Sequence, residues 1–306
     1  MQPEWIGFVT AVIAAIIAAA SQIMLSKFRN QAEHEIEHLR VQFRQFEEIE
    51  KLKRRYSTPL LKSAEELYNK LNDVVRNRER VHYYFKRLPD DVMNIRSMGD
   101  IMSSPTLIYL ANTLYLFARY FASVEAIKKD VGLLQLASDE ETKALQLHIR
   151  QTVAVFFSGR LHNNFKIRQD DRLKYEGRIL EGVQVLIGES MLRAADGLRE
   201  SISFYDFCHK IATDEDFRQC LSPFINFLSN LEEVSGIDYS TSSDIDFRWA
   251  KLILFASFLR SLIKQLDNVN VVTLLPELEE YEQSYLAEHP DLQRNIQYFK
   301  EAYPNP

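Results

Sequence analysis

Between Trp5 and Ser26 the chain runs 22 residues without a formal charge. A helix of that length spans about 33 Å, enough to cross a hydrocarbon core. The run predicts a single transmembrane helix at the N-terminus. A cleaved signal peptide needs a basic start, a shorter apolar region and a cleavage site, whereas this chain opens Met1-Gln2-Pro3-Glu4 and its apolar run is long. Lys27 and Arg29 follow the run and no basic residue precedes it, so the positive-inside bias puts the N-terminus outside and everything after residue 26 in the cytoplasm. Trp5 suits an interfacial anchor, and membrane lipid is the first expected partner.

Inside the run Gly7, Ala11, Ala15 and Ala19 recur every four residues, with Gln22 near the lower end of the stripe. Small residues at that spacing let a second helix approach closely, and an amide in lipid gains from bonding to a partner helix. These five residues are the expected oligomer interface, and a homo-oligomer is the expected state. Alanine-rich segments also produce such stripes by chance.

Beyond the run, Ile36, Leu39, Phe43 and Phe46 alternate spacings of three and four, and Ile49, Leu52 and Tyr56 continue after a three-residue slip. Eight basic and six acidic residues share the other faces between Lys27 and Arg55. That pattern predicts a charged helical stalk with one apolar seam, packed either on its own domain or on a second stalk.

Helix starts are then marked repeatedly. Thr58-Pro59 reads as a cap followed by a first-turn proline, opening a helix to about Phe85. Ser104-Pro105 opens an apolar helix to about Leu136, and Ser138-Asp139-Glu140-Glu141 forms a capping box for a helix reaching Phe157. Ser203, Thr213 with Asp216, Ser222-Pro223 and Ser243 with Asp246 mark further starts. Residues 107–124 are apolar enough to suggest a second span, but Asn112, Arg119 and Glu125 interrupt or end the run and make a core helix the better reading. The one strand candidate is Lys174 to Leu180, ahead of a helix from Val183 to Ala195. Residues 233–243 read as a loop, 268–273 as a short break, and 274–303 as acidic helix. The expected fold is therefore all-α: an anchor at 1–26, a stalk at 27–56, a cytoplasmic helical domain at 57–267 and an acidic helical tail at 268–306.

Composition narrows the function. Only 9 glycines and 9 prolines accompany 46% hydrophobic residues, which excludes collagen-like and largely disordered chains. A net charge of −6 offers no bulk attraction to a nucleic-acid backbone. Two cysteines exclude a disulfide scaffold; Cys208-His209 and Cys220 lack the second close pair that a metal site needs. His82, His148, His162 and His289 are scattered and read as surface or packing residues.

The sharpest chemical string is His34-Glu35-Ile36-Glu37-His38. On a helix its two histidines lie one turn apart, where they could share a zinc ion while Glu35 activates bound water. The third ligand would have to come from a residue such as Glu65 or Glu66. Solvated helix polarity accounts for the same residues in a charged stalk. The basic groups Lys51, Lys53, Arg54 and Arg55, and Arg76, Arg78 and Arg80, read as solvated faces that anionic lipid or an acidic partner could use. No glycine-rich phosphate loop, G-x-S-x-G elbow or paired Cys-x-x-Cys occurs, so no cofactor is expected.

Tyr56-Ser57-Thr58-Pro59-Leu60-Leu61, Arg119-Tyr120-Phe121-Ala122-Ser123-Val124-Glu125-Ala126-Ile127, and the block Arg178-Ile179 through Gly182, Gln184, Ile187-Gly188-Glu189 and Met191 are the remaining distinctive stretches. Together they resemble a loosely defined group of uncharacterised helical proteins, over residues 56–265. The resemblance implies one helical domain there, to which the membrane helix is an addition, and implies no activity. From the residues alone, Gly182 could end an extended segment, Gln184 could bond locally and Gly188 could allow close helix contact. Arg119 is the expected partner of Glu125.

The leading expectation is a membrane-anchored binding or scaffold protein that self-associates. A zinc hydrolase using His34, Glu35 and His38, and a membrane-disrupting oligomer, are the alternatives.

Overall fold

The computed structural model describes residues 3–77, 84–85, 92, 94–130, 140–159, 177–195, 198–229, 231, 247–267, 277–288 and 290–302. Side chains of residues 3–20 lie outside the described set, as do the expected loop at 233–243 and the residues around Ser138, Ser243 and Lys174. The chain divides into two compact units, Met1–Lys53 and Arg54–Pro306. The described residues are mostly helical, as the sequence predicts, with one short hairpin among them.

A single helix, α1, runs from Pro3 to Arg76. Among the described residues no helix is long and apolar enough to cross a membrane. Thr58-Pro59 does not start a new helix, because Pro59 lies inside α1. An interior proline costs ~3 kcal/mol through its missing N–H and a steric clash. Arg55, whose carbonyl loses that donor, is exposed together with Pro59, so water can bond it. Burial offsets the rest: Tyr56, Leu60, Ala64, Leu67, Leu71 and Val74 keep one helical face in the core on both sides of the proline.

The short α2 spans Met98–Ser103 and carries a capping box the sequence reading missed: Ser97 accepts from the Asp100 N–H, and Asp100 accepts from the Ser97 N–H. Helix α3, Pro105–Asp130, starts where Ser104-Pro105 predicts, with the Leu107 N–H donating to Ser104 Oγ at 3.3 Å. Its residues Leu110, Leu114, Phe117, Phe121 and Val124 are buried, as expected of a core helix. Helix α4, Glu140–Phe157, and helix α5, Glu181–Ser190, follow.

The hairpin comes next and corrects two expectations. Residues 178–180 are not strand, and the helix after them stops at Ser190 instead of running to Ala195. Strands β1, Leu192–Ala195, and β2, Leu198–Ser201, pair antiparallel with Leu192 opposite Ser201 and Ala195 opposite Leu198. The Ile202 N–H donates to the Met191 carbonyl at 2.8 Å and closes the base. Two residues separate the strands in sequence, Asp196-Gly197, the dipeptide that favours tight hairpin turns and the signal that could have found this element.

Helices α6, Phe204–Thr213, and α7, Glu215–Leu228, complete this part. Ser203 caps α6 as expected. Helix α7 is capped by Asp214, which accepts from the Phe217 N–H at 2.9 Å, instead of by Thr213. Ser222-Pro223 is not a start: Pro223 lies inside α7, and the Gln219 carbonyl it leaves without an amide donor takes the Ser222 hydroxyl at 2.8 Å. Helix α8 spans Phe247–Leu266, α9 Glu277–Glu288 and α10 Pro290–Ala302.

The core of the second unit is aromatic. Phe117 and Phe121 of α3, Phe156 of α4, Phe224 and Phe227 of α7, and Phe255 of α8 meet with ring centroids 4.8–6.5 Å apart. Rings in offset and edge-to-face arrangements supply dispersion beyond their buried area. Tyr120 joins them with its hydroxyl 2.8 Å from Thr152 Oγ1; since Thr152 donates its own proton to the Ile149 carbonyl, Tyr120 is the donor. Gly188 lets α5 lie against α3, because a Cβ there would sit 2.8 Å from the Phe121 carbonyl oxygen. That bears out the close contact expected of Gly188. Gly182, by contrast, lies within the first turn of α5 and faces open space.

Candidate functional site

The most unusual surface lies on the first unit. Met24, Leu25, Phe28, Ile36, Leu39, Val41 and Phe43 are 45–69% exposed. An isolated exposed leucine needs no explanation, but a run of exposed large apolar side chains along one helix, several of them spaced as a seam, does. Ile36, Leu39 and Phe43 are the seam that the sequence spacing marks, and nothing described on this unit covers them. The helix around them is solvated by charge: Arg29 donates to Glu33 at 3.1 Å, and Arg40 lies 3.6 Å from Glu37. Both pairs are widely exposed and contribute little to stability.

The other expected site residues fall on the same helix. Gly7, Ala11, Ala15 and Ala19 belong to α1, with their side chains outside the described set, and Gln22 is exposed. His34, Glu35 and His38 are all exposed on α1. Among the described residues, no three His, Cys, Asp or Glu side chains gather where they could hold a metal. Glu66, a candidate third ligand, is instead ion-paired with Arg119.

That pairing is a correction. Arg119 reaches back to Glu66 on α1, and Glu125 pairs with Lys128 of its own helix at 2.8 Å. About one and two-thirds turns separate Arg119 from Glu125, which puts them on different sides of α3, whereas Lys128 lies three residues on and shares a face with Glu125.

The second unit holds two further polar clusters that the sequence reading missed. In the first, Lys70 is buried on α1 with its ammonium 3.3 Å from the centroid of the Tyr109 ring. Asp73 accepts from Tyr109 at 3.0 Å, Asn77 at 2.7 Å and Lys70 at 3.3 Å. Burial lowers the Lys70 pKa against the pull of Asp73. Burial would raise that of Asp73, but Lys70 and the hydrogen bonds from Tyr109, Lys70 and Asn77 hold it below the usual carboxylate value. Burial, with Asp73 beside it, pushes the Tyr109 phenol far up. The shifts of Asp73 and Tyr109 favour an ionised carboxylate bonded to a protonated phenol, while burial works against the charge that Lys70 contributes to this clamp between α1 and α3.

In the second cluster, Arg248 and Lys251 are both fully buried at the start of α8. Arg248 donates to the carbonyls of Phe227 at 3.3 Å and Ser229 at 2.6 Å, at the end of α7. Lys251 donates to the carbonyls of Phe156, in the last turn of α4, and of Gly177, each at 3.1 Å; the Phe156 carbonyl also accepts from the Ile179 N–H at 3.1 Å. The two cations thus bond carbonyls at the C-terminal ends of α7 and α4, the negative ends of two helix dipoles, and Lys251 ties the segment at Gly177 to α4. Gly177 has a φ of +50°, and a Cβ there would meet the Arg248 side chain at 2.5 Å. The signal was present in the sequence as two cations three residues apart in an otherwise apolar stretch, Phe247 to Phe258.

No family model, curated protein or solved structure matches the chain. Function therefore rests on these surfaces alone.

Gln184 bonds locally, as expected, donating to the carbonyl of Ile179 at 3.1 Å, and also reaches the distant carbonyl of Val153 in α4 at 3.2 Å. His148 is buried, 3.1 Å from Gln151, and burial lowers its pKa. Cys208 and Cys220 are free thiols, and burial pushes Cys208 up to about 11, away from nucleophilic use near neutral pH.

Proposed function

We propose that the protein is a membrane-anchored helical binding protein whose domain faces the cytoplasm and whose first unit self-associates. One observation carries the reading: the exposed apolar side chains from Met24 to Phe43 stand on the helix that continues directly from the uncharged run Trp5–Ser26. A run of that length suits a bilayer, the basic residues Lys27 and Arg29 suit its cytoplasmic edge, and a helix with an uncovered apolar seam suits a partner helix. The described polar clusters of the second unit tie its elements together, Tyr109 to Asp73 between α3 and α1 and Arg248 and Lys251 to backbone carbonyls, which suits a rigid domain that binds.

Membrane association is tested by fractionating cells that express the full chain. The expected result is recovery in the membrane pellet after alkaline carbonate extraction. Ile13→Arg with Ile16→Asp, which adds roughly 2.5–3.5 kcal/mol of insertion cost per charge at the helix centre, is expected to release it. A full chain that carbonate strips as readily as this variant would overturn the anchor.

A further inference from the structure

We propose that the partner covering the stalk seam is a second copy of this chain, parallel and in register. This deepens the self-association reading above and rests on it. Taking Ile36 as a heptad a position makes Leu39 d and Phe43 the next a; by spacing alone, Leu25, Ala32 and Phe46 fall at d, and Gln22 and Arg29 at a. The described members of this set, Leu25, Ile36, Leu39 and Phe43, are 69%, 50%, 52% and 69% exposed.

Charge selects the partner and its direction. Glu35 occupies a g position and Arg40 the e position five residues on, so two parallel copies set Glu35 against Arg40 of the second copy on both flanks of the Ile36–Leu39 layers. Both side chains are exposed, and the Arg40 contact to Glu37 at 3.6 Å is loose enough to exchange. The antiparallel alignment that stacks Leu39 on Phe43 and Ile36 on Phe46 fails this test. It sets Arg40 against Arg40 and Glu33 against Glu47. Sliding that alignment by one heptad relieves the charges but opposes Arg29 to Phe46 and Ala32 to Phe43, whereas the parallel pair sets Arg29 against Arg29 of the second copy at the a layer below Ile36, where each exposed guanidinium keeps its pairing with Glu33 at 3.1 Å. A common membrane anchor also brings both N-termini to the same side and raises the effective concentration of so short a seam.

The register gives the His34-Glu35-x-x-His38 string another use. His34 falls at f and His38 at c, both facing away from the partner, while Glu35 reads the second copy's charge.

Disulfide trapping of the full chain in membranes tests this, with the wild type, which retains Cys208 and Cys220, as background. Ile36→Cys and Leu39→Cys are each expected to give covalent dimers on oxidation, and His38→Cys is not. Arg40→Glu is expected to lower trapping of Ile36→Cys about tenfold, two flanking attractions having become repulsions, and adding Glu35→Arg is expected to restore it. Light scattering of the detergent-purified full chain separates the failures. A monomer there would remove self-association altogether. An oligomer in which Ile36→Cys and Leu39→Cys trap no better than His38→Cys, or in which the charge swap does not rescue, would leave self-association standing and overturn the parallel seam.

Discussion

Two stretches of one helix treat the same residue types in opposite ways. Between Met24 and Phe43 the large apolar side chains of α1 are exposed, while between Tyr56 and Val75 those at the same helical spacing are buried in the second unit. Each stretch alone reads as an amphipathic helix. What differs is the supply of neighbours: the later stretch has Tyr109 and Arg119 of α3 to engage Asp73 and Glu66, and among the described residues the earlier one pairs within its own charged faces. An apolar stripe fixes that a helix needs a partner, and leaves open whether that partner lies in the same chain.

The comparison can be broken most strongly from the buried side. Phe156→Ala removes a fully buried ring in contact with Phe117, Phe224, Phe227 and Phe255, and should cost about 3–5 kcal/mol, read as a lower denaturant midpoint for the full chain. A loss under about 1 kcal/mol would mean that the aromatic cluster is not the core. Gly188→Ala comes next. Alanine gains up to about 1 kcal/mol of helix propensity over glycine, but a Cβ 2.8 Å from the Phe121 carbonyl forces backbone apart at about 1–3 kcal/mol, so the net change should be destabilising. A stabilised variant would show that α3 and α5 separate without cost.

Acidification should act through His148. Its folded pKa lies below the ordinary 6.5 because it is buried, so its contribution is intact above that value and is lost as pH falls from there towards the folded value. Thermal midpoints measured from pH 7.5 to 5 should fall, and His148→Gln should flatten the slope; an unchanged slope would show that the imidazole is not held neutral. The smallest effect sharpens the contrast. Ile36→Ser, Leu39→Ser and Phe43→Ser together should leave unfolding of the second unit within about 0.5 kcal/mol, since these side chains are exposed. The same triple variant should lower the oligomeric mass by light scattering.

Legibility followed the range of the interaction. Local signals were readable: Ser104-Pro105 starts α3, Ser203 caps α6, and Gly188 permits a close contact. The misreadings came from local signals outvoted by packing. Pro59 and Pro223 look like helix starts, yet buried faces on both sides carry the helix through. The β1–β2 hairpin goes against local preference, since Leu-Arg-Ala-Ala favours helix, and the dipeptide Asp196-Gly197 in the sequence is the local signal for it. The Arg248–Lys251 cluster escaped because its acceptors are carbonyls of Phe156, Gly177, Phe227 and Ser229, far away in sequence and identical in every residue type.

Residue order alone makes the chain helical, lays out its apolar stripes and leaves one N-terminal run without charge; periodicity and composition are local properties. Tertiary packing settled which stripe finds a core within the second unit and which is exposed among the described residues, and which buried charge meets which acceptor. Those outcomes depend on which distant groups arrive at the same place, and residue order does not state that.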